Sequence, residues 1–236
     1  MSKSYFIWNG KDCRSMGVTL EGPVPIVRGT ERVQHVTIPG RAGELTVTEG
    51  DDIYQSYIQT VTIQVRGGFR VREIQNWLKG SGYVTFHGEP DRRQKARVIG
   101  AVTLEKHSRN IDTWVGECQF YCEPLKELLK EANVTASLNG SVRNNGDVAS
   151  RPLMLVTCTG GDAVITIGDR SLTVTDNGQG TVLRIDCDAG LVTDTTMASN
   201  WNSWASGQFP RLAPGSNTIG GSGWSSAVIT KRERYL

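Results

Sequence analysis

The sequence lacks the local signatures that catalysis and cofactor binding usually leave. No Gly-x-Ser-x-Gly elbow occurs, so a serine hydrolase has no support. The three histidines, His35, His87 and His107, stand apart without His-x-His or His-Glu-x-x-His spacing. Solvated or internally satisfied rings explain them better than metal ligands do. Gly178-Gln179-Gly180 and Gly220-Gly221-Ser222-Gly223 have no strand-to-helix context and read as loops rather than phosphate cradles. From residue 136 onward the only glutamate is Glu233, so the facing carboxylic acids of a glycosidase are missing there. Asp186, Asp188 and Asp194 lack the spaced partners, central glycine and closing glutamate of an EF-type calcium loop, and read as turn formers. These absences predict a chain that is not an enzyme and carries no catalytic residue, cofactor or metal.

A surplus of one charge is missing too. The net charge is +2 over 236 residues. Residues 1–135 hold eighteen basic and sixteen acidic side chains, and residues 136–236 hold eight of each. Neither part has the basic face of a phosphate-backbone binder. No apolar run approaches the roughly 20 residues that cross a bilayer, so no membrane contact is expected. The opening Met1-Ser2-Lys3-Ser4-Tyr5-Phe6-Ile7-Trp8-Asn9-Gly10 turns polar too early for a secretory leader, which predicts folding in a cytosol. Five scattered cysteines, an odd count, make a poor disulfide framework. Cys118 and Cys122 alternate with Phe120 on one face of an extended segment, which predicts core packing rather than a zinc pair.

What is present is mainly β. Thr60 to Val65 places Val61, Ile63 and Val65 on one side. Arg70 to Lys79 shows helical spacing through Val71, Ile74 and Leu78, with Trp77 beside them, and Gly80-Ser81-Gly82 stops it. Strands are predicted over Tyr83 to His87, Ala96 to Glu105 and Thr113 to Cys122, with turns at Glu89-Pro90-Asp91 and Asn110-Ile111-Asp112. Pro124 is placed to open a short helix with Leu125, Leu128, Leu129 and Ala132 as its apolar stripe. A domain boundary is expected near Asn133 to Ser137, dividing the chain into 1–135 and 136–236. Beyond it charge thins and short strands recur at Leu153–Thr159, Ala163–Ile167, Ser171–Thr175, Thr181–Cys187 and Ala227–Lys231. Turn signals between them predict a sandwich or jelly roll.

Two glycine-proline turns punctuate these parts: Ile38-Pro39-Gly40-Arg41-Ala42-Gly43, and Leu212-Ala213-Pro214-Gly215-Ser216-Asn217-Thr218-Ile219. Together with Phe6 to Lys11, Met16-Gly17-Val18, Glu44 to Val47, Val71 to Leu78, Gly82 to Phe86, Gly88 to Asp91, Phe120 to Pro124, Leu183 to Asp186, Asp188-Ala189-Gly190 and Phe209 to Arg211, their order resembles the distal tail proteins of long-tailed, non-contractile phages and prophages. The resemblance implies a virion protein of the tail tip, assembled in the bacterial cytoplasm. It implies a ring-forming N-terminal β domain that closes as a homohexamer, with a peripheral galectin-like β-sandwich. Such a baseplate hub would join the tail tube protein above to a tail-associated tip protein below, with the tape measure protein a further candidate partner, and DNA would pass through its channel without specific binding. The second domain lacks the large insertions that carry carbohydrate-binding modules in some members.

A ring subunit needs two complementary surfaces that meet head to tail. The segment Glu31 to Val47 reads as one of them. Val33 and Val36 approach, and Leu45 and Val47 depart, around a tip that cannot extend a ladder. The expected contact residues are Ile38, Pro39, Gly40, Arg41 and Gly43, with Arg41 reaching carboxylates or carbonyls across the seam; the plainer reading is a surface loop with a solvated arginine. Trp201, Trp204 and Trp224 form the other candidate set, which could fill a core, meet a protein or stack on a sugar. The last option supports an alternative function, a glycan-binding sandwich in host-surface adsorption.

Overall fold

The computed structural model describes residues 4–48, 50 and 52–236, with the backbone alone at 176 and 177. Met1-Ser2-Lys3, on which part of the leader argument rests, lies outside them. The chain divides into two compact units, Met1–Leu129 with Leu236, and Lys130–Tyr235.

The first unit contains β1 (Phe6–Trp8), β2 (Lys11–Asp12), β3 (Val18–Leu20), β4 (Val33–Thr37), β5 (Glu44–Thr48), β6 (Tyr57–Arg66), α1 (Val71–Trp77), β7 (Ser81–Phe86), β8 (Arg92–Val98), β9 (Leu104–Lys106) and β10 (Thr113–Leu128). Its main sheet runs β2-β1-β7-β8-β10-β6-β3, with β9 also on β10. Alternation holds as expected on β6, where Val61, Ile63 and Val65 are buried. Ile74 and Leu78 enter the same core from the helix and its end. An aromatic group anchors it: Phe120 meets Phe6 at 5.4 Å, Trp8 at 5.3 Å and Phe86 at 5.9 Å between ring centroids. Cys118 and Cys122 flank Phe120 in this core, and burial pushes both thiols up to about 12.

Two expectations fail here. The strand placed over Ala96 to Glu105 is two strands, because the chain bends at Gly100, whose φ is +68°. The helix placed at Pro124 does not form. Instead β10 continues, pairing Lys126, Glu127 and Leu128 with Gln94, Arg93 and Arg92 after a register shift that spans Pro124. A bulge absorbs the proline's missing N–H. Lys126, 5 % exposed, donates to Glu89 at 2.5 Å and to the Val27 carbonyl at 3.2 Å, holding the extension in place.

The second unit holds β11 (Asn133–Ser137), β12 (Ser141–Asn144), β13 (Leu153–Cys158), β14 (Gly161–Ile167), β15 (Arg170–Asn177), β16 (Val182–Asp186), β17 (Leu191–Asp194), β18 (Ala205–Gly207), β19 (Gly215–Ser222) and β20 (Trp224–Thr230). Two five-stranded sheets, β11-β20-β13-β16-β17 and β12-β19-β14-β15-β18, enclose a mostly aliphatic core with Met154, Val156, Ile165, Leu183 and Ile185 fully buried. The stretch expected to join the domains, Asn133 to Ser137, is an edge strand of this sandwich, paired with β20. Gly220 to Ser222, read as loop, belongs to β19 and pairs with β14. Gly221 tolerates no side chain there: an added Cβ would lie 1.8 Å from the Val164 carbonyl oxygen.

Candidate assembly interface

The Ile38–Gly43 turn closes a two-stranded hairpin that, among the described residues, joins no other sheet. β4 and β5 pair from Val33 with Thr48 to Thr37 with Glu44. Pro39 and Gly40, at φ +83°, fill the two central positions of the tip, and the Arg41 amide donates to the Ile38 carbonyl at 3.1 Å. This is the turn chemistry that a proline followed by a left-handed glycine favours. The hairpin's base is tied by Arg32 N–H to the Ile53 carbonyl at 2.9 Å and Gln55 N–H to the Thr30 carbonyl at 2.7 Å.

Opposite residues of an antiparallel pair share a face. Gln34, Val36, Leu45 and Val47 therefore line one face, which Ile38 continues toward the tip, while His35, Thr37, Glu44 and Thr46 line the other. Val36, Ile38, Leu45 and Val47 are 37–44 % exposed, so the apolar face meets solvent. Covering these four side chains adds on the order of 1 kcal/mol each. A lone two-stranded hairpin is marginal in water. The arrangement is an amphipathic arm with its apolar side unpartnered among the described residues.

A second surface of the same unit escaped the sequence reading. Phe69 is 81 % exposed, on the tight turn between β6 and α1. It borders a hollow of about 800 Å³ lined by Arg66, Arg70, Thr19, Leu20 and Gln64, beside the free edge of β3. The Arg70 guanidinium lies 5.5 Å from the Phe69 ring. An aromatic after two glycines and between two arginines was the available signal.

The tryptophan set separates. Trp224 is 3 % exposed and its indole N–H donates to the Val164 carbonyl at 2.9 Å inside the sandwich. Trp201 packs on the rim of that core, and Trp204 is 51 % exposed. With Ser199 and Asn200 these two line an open hollow of about 310 Å³.

The remaining polar candidates are consumed by structure. The Arg232 guanidinium grips Asp186 through two hydrogen bonds of 2.6 and 3.0 Å and, with the Ala189 and Asp188 amides, holds its carboxyl down at about 2. Asp194 accepts from the Thr196 hydroxyl and the Ala198 and Ser199 amides, which lower its pKa and close a turn. Glu233 is 3 % exposed; burial raises its carboxyl, but Lys231, the Asn145 amide and the Tyr235 hydroxyl outweigh it and hold the group below the usual range. His35 meets Thr46 at 3.2 Å on the hairpin, and His87 lies against Tyr5, with ring centroids 6.1 Å apart.

No family model and no curated protein matches the chain. Among solved structures it superposes on the crystal structure of SPP1 Dit with a TM-score of 0.79, 17 % identity and full coverage of both chains. The fold is that of SPP1 Dit. That protein is a paradigm of the hub adsorption apparatus in phages that infect Gram-positive bacteria. The likeness to Dit covers the whole chain and so includes both units.

Proposed function

We propose that this chain is a structural hub protein of a phage or prophage tail of the long, non-contractile kind. The first unit closes a homohexameric ring, and the second, a galectin-like sandwich, stands at its periphery. The ring links the tail tube protein to a tail-associated tip protein, leaves a channel for DNA, and does no chemistry. The observation that carries this reading is the amphipathic arm. A hairpin with a bare apolar face gains stability only when something covers it, and a head-to-tail copy does so around a closed circle. The full-length likeness to Dit supports the same role. Ile38, Pro39, Gly40 and Gly43 shape the arm's tip, and Arg41 reaches across the seam.

Light scattering and negative-stain imaging of the purified protein, alone and with its tail partners, test the reading: rings are expected. A chain that stays monomeric under all these conditions and never enters tail particles overturns it. Pro39→Ala with Arg41→Ala should weaken ring formation more than folding.

The Trp201–Trp204 hollow favours a second reading, glycan binding during host-surface adsorption. An array showing specific binding that Trp201→Ala and Trp204→Ala abolish would support it.

A further inference from the structure

We infer that the arm of one copy is received at the β3 edge of the next, where β5 adds as a further strand beside Arg66, Phe69 and Arg70. This deepens the proposed ring, on which it rests, by naming the receiving surface.

The backbone is ready for the addition. β3 ends the main sheet and pairs only with β6 among the described strands. Thr19 and Glu21 turn toward β6, with the Glu21 amide on the Thr62 carbonyl at 2.9 Å. Alternation along an antiparallel ladder then leaves the Leu20 amide and carbonyl on the open side. Among the described strands β5 likewise pairs with β4 on one side and with none on the other.

Faces match as well as edges. Thr19, Gln64 and Arg66 share the solvent face of the main sheet, while Leu20 packs toward the core that Ile74 of α1 also enters. The arm divides the same way, with Glu44 and Thr46 on its polar face and Leu45 and Val47 on its apolar face. Strand addition in one register sets Glu44 and Thr46 beside Thr19 and Arg66. It also sets Leu45 and Val47 beside Leu20 and the bare Phe69 ring. A slip of one residue would reverse both matches, so the alternation itself specifies the pairing.

Charge selects β5 over β4. From Glu44 to Val65 the chain has no lysine, arginine or histidine. β4, Val33–Thr37, carries no carboxylate, whereas β5 carries Glu44. Among the described residues the receiving side shows two arginines with no carboxylate within ion-pair distance, and Glu44 lies 3.9 Å from His35. β4 therefore offers this edge no counter-charge, whereas Glu44 completes it.

Two sets of variants test the pairing in the full chain. Arg66→Glu with Arg70→Glu should raise the concentration needed for ring formation about tenfold or more, and adding Glu44→Arg to that chain should recover most of the loss. Unchanged melting of the monomer shows that these surface changes spare the fold. Independently, Leu45→Cys with Phe69→Cys should give covalently linked oligomers on mild oxidation, against a quiet background because the five native cysteines are buried. Rings that form normally in the arginine variant and do not cross-link overturn the receiving surface while leaving the hub reading intact. Wild-type protein that never forms a ring overturns both.

Discussion

The sandwich and the arm handle exposed edges in opposite ways. In the second unit two five-stranded sheets close over one core, and its polar outliers are tied down internally, Asp186 by Arg232 and Glu233 by Lys231, Asn145 and Tyr235. In the first unit a well-packed aromatic core supports an arm whose apolar face has no cover among the described residues. A fold with enough buried surface can carry such a segment without unfolding. The difference separates what makes each unit stable from what makes one of them associate.

The sharpest way to break this comparison is in the cores. Phe120→Ala should destabilise the first unit by about 3–5 kcal/mol, since it deletes the ring that Phe6, Trp8 and Phe86 all contact. Calorimetry should show one transition moved and the sandwich transition little changed. Trp224→Ala should cost a similar amount, about 3–5 kcal/mol, in the sandwich. Trp204→Ala, at a half-exposed site, should stay within about 0.5 kcal/mol. Equal losses from the two tryptophans would mean that the exposed pair is structural after all.

A smaller effect is expected from the sandwich's ionic clamp. Asp186 titrates near 2 in the folded chain, below its ordinary 3.8. Its contribution is therefore complete above pH ~4 and lost as pH falls toward ~2, amounting to about 2 kcal/mol. Asp186→Asn should remove that amount at neutral pH and flatten the acid limb of stability. The smallest effect belongs to the arm: Val36→Ser with Val47→Ser should shift monomer stability by no more than about 0.5 kcal/mol while abolishing ring formation. If melting falls steeply instead, the hairpin is internal structure and the contrast between units collapses.

Alternation was the legible signal. Val61, Ile63 and Val65, and Cys118, Phe120 and Cys122, were placed on shared faces that the structure buries, because a strand's period of two is written directly in the residue order. The Ile38–Gly43 turn was equally readable, since proline and glycine restrict φ locally. Pro124 was misread because its helix-opening preference is also local, while the competing ladder to Arg92, Arg93 and Gln94 comes from residues about thirty positions away. The same distance hid Phe69: its exposure depends on which strands end beside it.

Residue order alone thus determined the β character, the inward faces and the arm's turn, because each rests on covalent limits or on neighbours a few positions apart. Tertiary structure decided that Trp224 is buried and Trp204 is not, that Glu233 is enclosed, and that β3 lies open beside two arginines. Those outcomes depend on strand order within a sheet, which is settled by contacts between segments far apart in the chain.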